Sequence, residues 1–360
     1  MRPAFPATGY QRLSAPQARV VLAALVVVSV VLLVVAQSPR AIGREETRGA
    51  DVCDAALYEA EVGRMRLGEG YYEACAHELV ARGYPVHSVF NWRTPLPVWM
   101  LGKLPDPLVG KLALGGLSLL LVAMSFACVA REDNERLGRA LACAALLSGP
   151  LLLGMLGNLF TMPVMWAGVF LAISLCGYGL ERPAIGVAFG LAAVFFRELA
   201  LPYALLAAVL AWRQQRRGEL LAWAVGLGAW LLFFAWHWMQ VARWMPAGVG
   251  LRANAWIQCG GAAFVLSTVR ANAYLVLLPA WVAAVYFIAA MIGLAGWNTP
   301  FGTRLGLSVA MFVVAFGFVG QEFNQYWGCL IGPLLCYGVV RFPASVSDLW
   351  AGCSRRRQSV

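Results

Sequence analysis

The acidic side chains of this chain are gathered in one place. Residues 37–107 carry Asp51, Asp54, Glu59, Glu61, Glu69, Glu73 and Glu78, together with Arg93 and a cluster of Tyr and Trp. Asp51 and Asp54 stand just before residues 55–66, where Leu57, Ala60, Glu61 and Met65 recur at helical spacing. An aspartate at the start of such a helix is placed to act as a general base. The same placement suits a helix cap, a role for which Asp is favoured. Downstream, Arg93 lies in Asn91-Trp92-Arg93-Thr94-Pro95. There a guanidinium either grips a phosphate with two parallel hydrogen bonds or snorkels towards lipid headgroups.

Two further constellations have the same double character. Arg197-Glu198 interrupts an apolar run at 184–212. Charge at such a depth costs several kcal/mol, is usually paired and marks a functional site by default; the bland reading is a self-neutralising pair at a helix break. Residues 321–327 (Q-E-F-N-Q-Y-W) place Glu322, Asn324 and Tyr326 where two late apolar runs meet, in a polar site or an ordinary turn. Segment 242–272 adds Arg243, Arg252 and Arg270. An excess of arginine on the side that normally disfavours positive charge fits a bound anion. His237, between Trp236 and Trp238, reads as a packing residue.

The elements that must position these groups are apolar. The 360 residues are 61% hydrophobic and 13% charged, against roughly 25% charged in soluble domains. The chain is therefore expected to be an all-α, polytopic transmembrane helical bundle forming one domain over 1–360. The formal net charge of +10 sits mainly at the ends of apolar runs, as at Arg213, Arg216, Arg217 and 355–357. That placement indicates anionic headgroups rather than nucleic acid.

Residues 20–36 form a first apolar run behind a basic segment, expected to be an uncleaved anchor with its N-terminus in the cytoplasm. Further runs cover about 108–130, 137–157, 160–180, 184–212, 220–241, 273–296, 305–321 and 326–342. Both ends of 184–212 look cytoplasmic, and Pro202 belongs in the first turn of a helix. The run is therefore expected to be two short helices, 184–196 and 199–212, turning at Arg197-Glu198 at membrane depth. The expectation is about ten hydrophobic helices, with both termini in the cytoplasm of a bacterial inner membrane. The 37–107 loop, the Arg197-Glu198 turn, 242–272 and 322–325 then share the outer face. Among the nine cysteines there is no CxxC, and Cys53 and Cys75 are free to pair or not as far as sequence goes.

Taken together, the residues resemble the GT-C superfamily of polytopic membrane glycosyltransferases, especially its bacterial branch tied to surface glycopolymers. The resemblance rests on D-x-x-D at 51–54 with Tyr58 four on, G-E-G-Y-Y at 68–72, F-N-W-R-T-P-L-P at 90–97, the mid-run R-E, and a late N-Q-Y-W-G. It implies a catalytic aspartate in the first outer loop, for which Asp54 fits best with Asp51 as substitute. The implied donor is a sugar on a polyprenyl phosphate or pyrophosphate, and the implied acceptor is a glycan or lipid hydroxyl. Arg197 and Arg93, with Arg243, Arg252 or Arg270, would hold the donor phosphate. Glu198, Tyr58, Asn91, Glu322, Asn324 and Tyr326 would complete the substrate site. Some relatives place a divalent metal beside the aspartate, and Asp51 with Asp54 leaves that alternative open. The chain lacks the large soluble C-terminal domain of bigger members, so nothing identifies the acceptor. A transporter or flippase of a lipid-linked anion would also want a broken helix and outer arginines, and a non-catalytic assembly subunit is a third reading.

Overall fold

The computed structural model describes residues 7–42, 53–132, 137–246 and 259–354. Among these the structure is helical, with no strand. Helix α1 (Ala15–Val35) is followed by the short α2 (Pro39–Ile42). The acidic segment folds as α3 (Asp54–Arg66), α4 (Tyr71–Ala81), α5 (Val89–Trp92) and α6 (Leu96–Lys103). The remaining helices are α7 (Pro107–Glu132), α8 (Leu137–Leu153), α9 (Pro163–Gly179), α10 (Pro183–Phe196), α11 (Leu201–Arg213), α12 (Arg217–Trp244), α13 (Gly261–Val269), α14 (Ala280–Ala295), α15 (Pro300–Phe318) and α16 (Gly332–Ser354). A 3₁₀ segment, Glu322–Leu330, precedes α16.

Prolines start many of these helices. Pro16, Pro97, Pro163, Pro183, Pro202 and Pro300 all lie in the first two positions, where the missing N–H is no loss and φ is preset. The expected break in the 184–212 run is present. Helix α10 ends at Phe196, Arg197 is extended (φ −151°, ψ 115°), a 3₁₀ turn covers Glu198–Ala200, and α11 begins with Pro202 in its first turn.

Helices α1, α7, α12 and α15 are long and apolar enough to cross a membrane. A fifth candidate is the pair Phe323–Leu330 and Gly332–Ser354, bent by 62°. Helices α8, α9, α10 and α14 are apolar but shorter than a full span. Several boundaries also differ from the sequence reading. Helix α14 begins only at Ala280, behind a 3₁₀ turn at Leu275–Leu277. Helix α16 runs on past its apolar run to Ser354, and the reason is docking: Asp348 accepts from the Thr8 backbone N–H at 2.8 Å and from Gln11 Nε2 at 2.9 Å.

Helix α9 is buried on nearly all sides and packs on α7, α10, α15 and the Glu322–Leu330 segment. Helix α1 lies outside against α14 and α16 and is mostly uncovered. Where helices meet most closely, glycine is required. A Cβ at Gly168 would stand 2.0 Å from the Cys329 carbonyl oxygen, and one at Gly293 would stand 1.8 Å from that of Gly338. Gly293→Ala must therefore drive α14 and α16 apart. It is expected to destabilise the protein by about 3 kcal/mol, the upper end of ordinary overpacking, read as a lower thermal midpoint in detergent. An unchanged midpoint would show that the two helices can separate freely.

The bundle has two polar ends. At one, Arg131 pairs with Glu181 at 2.8 Å, Trp297 donates to Glu132 at 3.3 Å, and the Gly9 N–H donates to Gly296 at 2.8 Å. At the other, the acidic segment meets the Arg197 break and the Glu322–Leu330 segment.

Candidate functional site

Asp54 opens α3, but it does not cap it. The cap position is Cys53, and no side chain caps this end. The Asp54 carboxylate turns instead to the 83–85 turn, where Oδ1 accepts from the Tyr84 hydroxyl at 3.0 Å. Burial raises the Tyr84 pKa well above its ordinary value, as does the neighbouring Asp54, so this hydroxyl is a dependable donor. Gly83, at φ +69°, provides the turn that brings Tyr84 back over α3.

One turn on from Asp54, Tyr58 is buried and accepts from Arg93 Nε at 3.0 Å. Burial first of all pushes its hydroxyl up to about 12, against the lowering influence of Arg93. Two turns on, Glu61 is 1% exposed, and its Oε2 lacks a hydrogen-bond partner among the described residues. Burial pushes its carboxyl up to about 8. Of the repeat predicted from sequence, Leu57, Glu61 and Met65 face inward, joined by Tyr58 and Val62, while Ala60 is only half-buried.

Arg93 joins the elements. It follows α5 with φ 57° and ψ 169°, a backbone state that glycine adopts freely and that costs other residues on the order of 1–3 kcal/mol. Its surroundings fix it there. Tyr71 donates to the Trp92 carbonyl and, at 3.3 Å, to that of Arg93 itself. The guanidinium donates to the Phe90 carbonyl, to Tyr58, and through Nη2 to Tyr326 at 3.4 Å. Thr94 then donates to the Phe195 carbonyl at 3.3 Å, tying this turn to the end of α10.

That junction brings Arg93 to the break. Glu198 Oε1 lies 2.9 Å from Arg197 Nη1 and 3.8 Å from Arg93 Nη1, so two guanidiniums share one carboxylate. Arg197 is only 2% exposed, and its contact with Glu198 lacks the alignment of a hydrogen bond. Its Nε and Nη1, like Glu198 Oε2, have no hydrogen-bond partner among the described residues. Buried charged donors left in this state are expensive, which makes the place receptive to an anion. Burial alone would lower the Arg93 pKa, yet it is raised well above its ordinary value by Tyr58, Tyr326, Glu198 and Asp54. These groups, drawn from four parts of the chain, therefore share one electrostatic neighbourhood.

Of the residues singled out from sequence, the structure brings together Asp54, Tyr58, Arg93, Arg197, Glu198 and Tyr326. Asn324 is fully buried two residues before Tyr326, with neither amide atom bonded within the described residues. Asp51 and Arg252 lie outside the described residues, as does the side chain of Glu322. Three others are placed differently from the sequence reading. Asn91 Nδ2 donates to the Pro85 carbonyl at 2.6 Å and so staples the 85–91 turn. Arg270 caps the end of α13 and donates to the Val276 carbonyl at 3.0 Å. Arg243 is exposed in the last turn of α12, because that helix continues to Trp244.

His237 is completely buried, stacked on Tyr72 and 2.9 Å from its hydroxyl, where it locks α4 to α12. Sequence reasoning missed Tyr84, whose only signal is its place in a Gly-Tyr-Pro turn, and Thr94. Cys53 and Cys75 are both free thiols; Cys53 is exposed, while Cys75 is buried and donates to the Trp92 carbonyl at 3.5 Å. Among the described residues no three His, Cys, Asp or Glu side chains form a metal-ligand group. No family model, curated protein or solved structure matches this chain.

Proposed function

We propose that this chain is a multi-pass membrane glycosyltransferase that moves a sugar from a polyprenyl-phosphate-linked donor to an acceptor hydroxyl, with inversion, in cell-surface glycan assembly. The observation that carries the reading is the buried pair of guanidiniums, Arg93 and Arg197, sharing the Glu198 carboxylate beside Asp54. In this reading the bundle lies in a bacterial inner membrane with both termini cytoplasmic. The Asp54 end then faces outward, where a lipid-borne donor meets its acceptor.

The chemistry needs few parts. Asp54 takes the proton from the acceptor O–H as that oxygen forms a bond to the anomeric carbon. The bond from that carbon to the phosphate oxygen breaks, and its electron pair leaves with the lipid phosphate. Negative charge develops on that oxygen, where preorganised guanidiniums stabilise it most. Tyr84 orients the base through Oδ1, and Asp54 Oδ2 has no hydrogen-bond donor among the described residues. Tyr58 and Tyr326 orient Arg93.

A second reading, a transporter or flippase of a lipid-linked anion, draws on one observation, the charged break between the short helices α10 and α11. The purified protein in detergent, given a polyprenyl-phosphate sugar and an acceptor mixture from the cell envelope, separates the two. Transfer of labelled sugar supports the enzyme. Donor binding without any transfer, together with lipid translocation in vesicles, supports the transporter.

A further inference from the structure

At the end of the bundle opposite Asp54, two guanidiniums again surround a single carboxylate, and no step of the proposed mechanism uses them. Helix α9 ends at Gly179, so Tyr178 lies at the end where Arg131 meets Glu181. Over its ring stands Arg304, from the start of α15, with Cζ 3.6 Å from the ring centroid. Stacking engages the flat face of a guanidinium, whereas its N–H groups point outward in the plane. Arg304 is only 5% exposed, and its Nη1 has no hydrogen-bond partner among the described residues. Its Nη2 lies 3.8 Å from Glu219 Oε1, too far for a hydrogen bond. The other oxygen of Glu219 is 3.5 Å from Arg216 Nη1. One carboxylate thus spans two arginines loosely, and one positive charge of the three residues is left unmatched.

Glu219 places this cluster at a helix N-terminus. It lies in the first turn of α12, whose leading N–H groups have no intrahelical carbonyl and no side-chain cap. Gly218, beside it, is exposed, and a Cβ there would meet nothing within 4 Å. The positive end of a 28-residue helix is therefore open to an anion, flanked by the exposed Arg213, Arg216 and Arg217. From Gly218 the same stripe of α12 continues at helical spacing through Leu221 and Val225, each 64% exposed. Trp212, at the end of α11, is exposed as well. An apolar track that starts at a cationic helix end suits a ligand with acyl chains and an anionic head.

We propose that the turn between α11 and α12 binds the phosphate of an anionic phospholipid, held by Arg216, Arg304 and the first-turn N–H groups of α12. The acyl chains then lie along Leu221 and Val225. A lipid whose headgroup carries its own ammonium brings no net charge to the unmatched arginine and binds less tightly.

The proposal is independent of sugar transfer and of the Asp54 end. Its test uses the full chain in detergent with three probes: short-chain phosphatidylglycerol, short-chain phosphatidylcholine and inorganic phosphate. Phosphatidylglycerol is expected to raise the thermal midpoint and to bind roughly tenfold more tightly than either of the others, the scale of one hydrogen bond to a charged group. Arg216→Gln, at an exposed position, should lose a similar factor. Arg304→Gln should do the same, with its midpoint without lipid as the control for folding. Gly218→Asp tethers a carboxylate at the open N-terminus. It should raise the midpoint without lipid and abolish the response to phosphatidylglycerol.

Equal affinity for the two lipids overturns the proposal, as does phosphatidylglycerol binding that survives both Arg216→Gln and Gly218→Asp. Inorganic phosphate that binds as tightly as phosphatidylglycerol would make the ligand a free anion and overturn the assignment to a lipid.

Discussion

Asp54→Asn is expected to abolish sugar transfer, with a loss of about 10²–10⁴-fold, the usual contribution of a positioned general base. The substitution is nearly isosteric, and the amide oxygen can still accept from Tyr84. It does not remove a helix cap, since Cys53 occupies that position. Folding and donor binding are therefore expected to survive, and the loss should lie in kcat rather than in donor affinity. Full activity in Asp54→Asn would exclude Asp54 as the base. Tyr84→Phe supplies a graded control, because it removes the hydroxyl that orients the carboxylate and leaves the carboxylate in place.

Arg197→Ala carries the second large effect. The side chain is almost wholly buried and pairs with Glu198, so its removal leaves that carboxylate only the more distant Arg93. Truncating one member of a buried pair costs about 2–5 kcal/mol. Two losses should follow, a lower thermal midpoint and a donor affinity reduced by roughly 30-fold or more, about 2 kcal/mol. The double variant Arg197→Ala/Glu198→Gln tells them apart. Neutralising Glu198 should return much of the stability, since no buried charge is stranded, but it cannot restore a phosphate ligand. Donor affinity that recovers along with stability would mean that Arg197 is structural only. Arg197→Lys should fall between, because an ammonium keeps the charge and loses the planar fork.

The pH dependence of folding is a separate consequence of Glu61. Burial pushes its carboxyl up to about 8 in the folded chain, above the ordinary value of 4.5. Between those values the folded chain holds a proton that the unfolded chain releases, so stability falls as pH rises across that window. At 1.36 kcal/mol per unit the full effect is ~5 kcal/mol. Glu61→Gln should flatten the stability profile between those values, and a wild-type profile that rises there would contradict the burial of this carboxyl.

The features legible in the sequence are those that local chemistry decides. Proline in the first turn fixed the start of α11, and an Arg-Glu pair inside an apolar run marked the break beside it. Spacing at 57–65 identified the inward face of α3. The partners were not legible, because tertiary contact alone assigns them. Nothing in Gly83-Tyr84-Pro85 indicates that its hydroxyl returns to Asp54 across 30 residues. Asn91 and Arg270 carry groups suited to ligand binding, and the fold uses them on neighbouring carbonyls. Hydropathy marks the apolar stretch and not the helix end: α16 continues to Ser354, past Asp348, which accepts from Thr8 and Gln11.

The carboxylate shared between Arg93 and Arg197 has a consequence for turnover. Two guanidiniums face two carboxylates, Glu198 and Asp54, and in the proposed mechanism the phosphodiester donor adds one negative charge before reaction. After transfer, in the proposed mechanism, Asp54 holds the acceptor's proton while the freed lipid phosphate carries about −1.5 to −2 charges. The total is unchanged, so nothing at that moment expels the product. Only when Asp54 gives up its proton does the site face the phosphate with both carboxylates charged. In the proposed mechanism, resetting the base and releasing the spent carrier are then one electrostatic event: Asp54 regains its charge as the lipid phosphate is discharged.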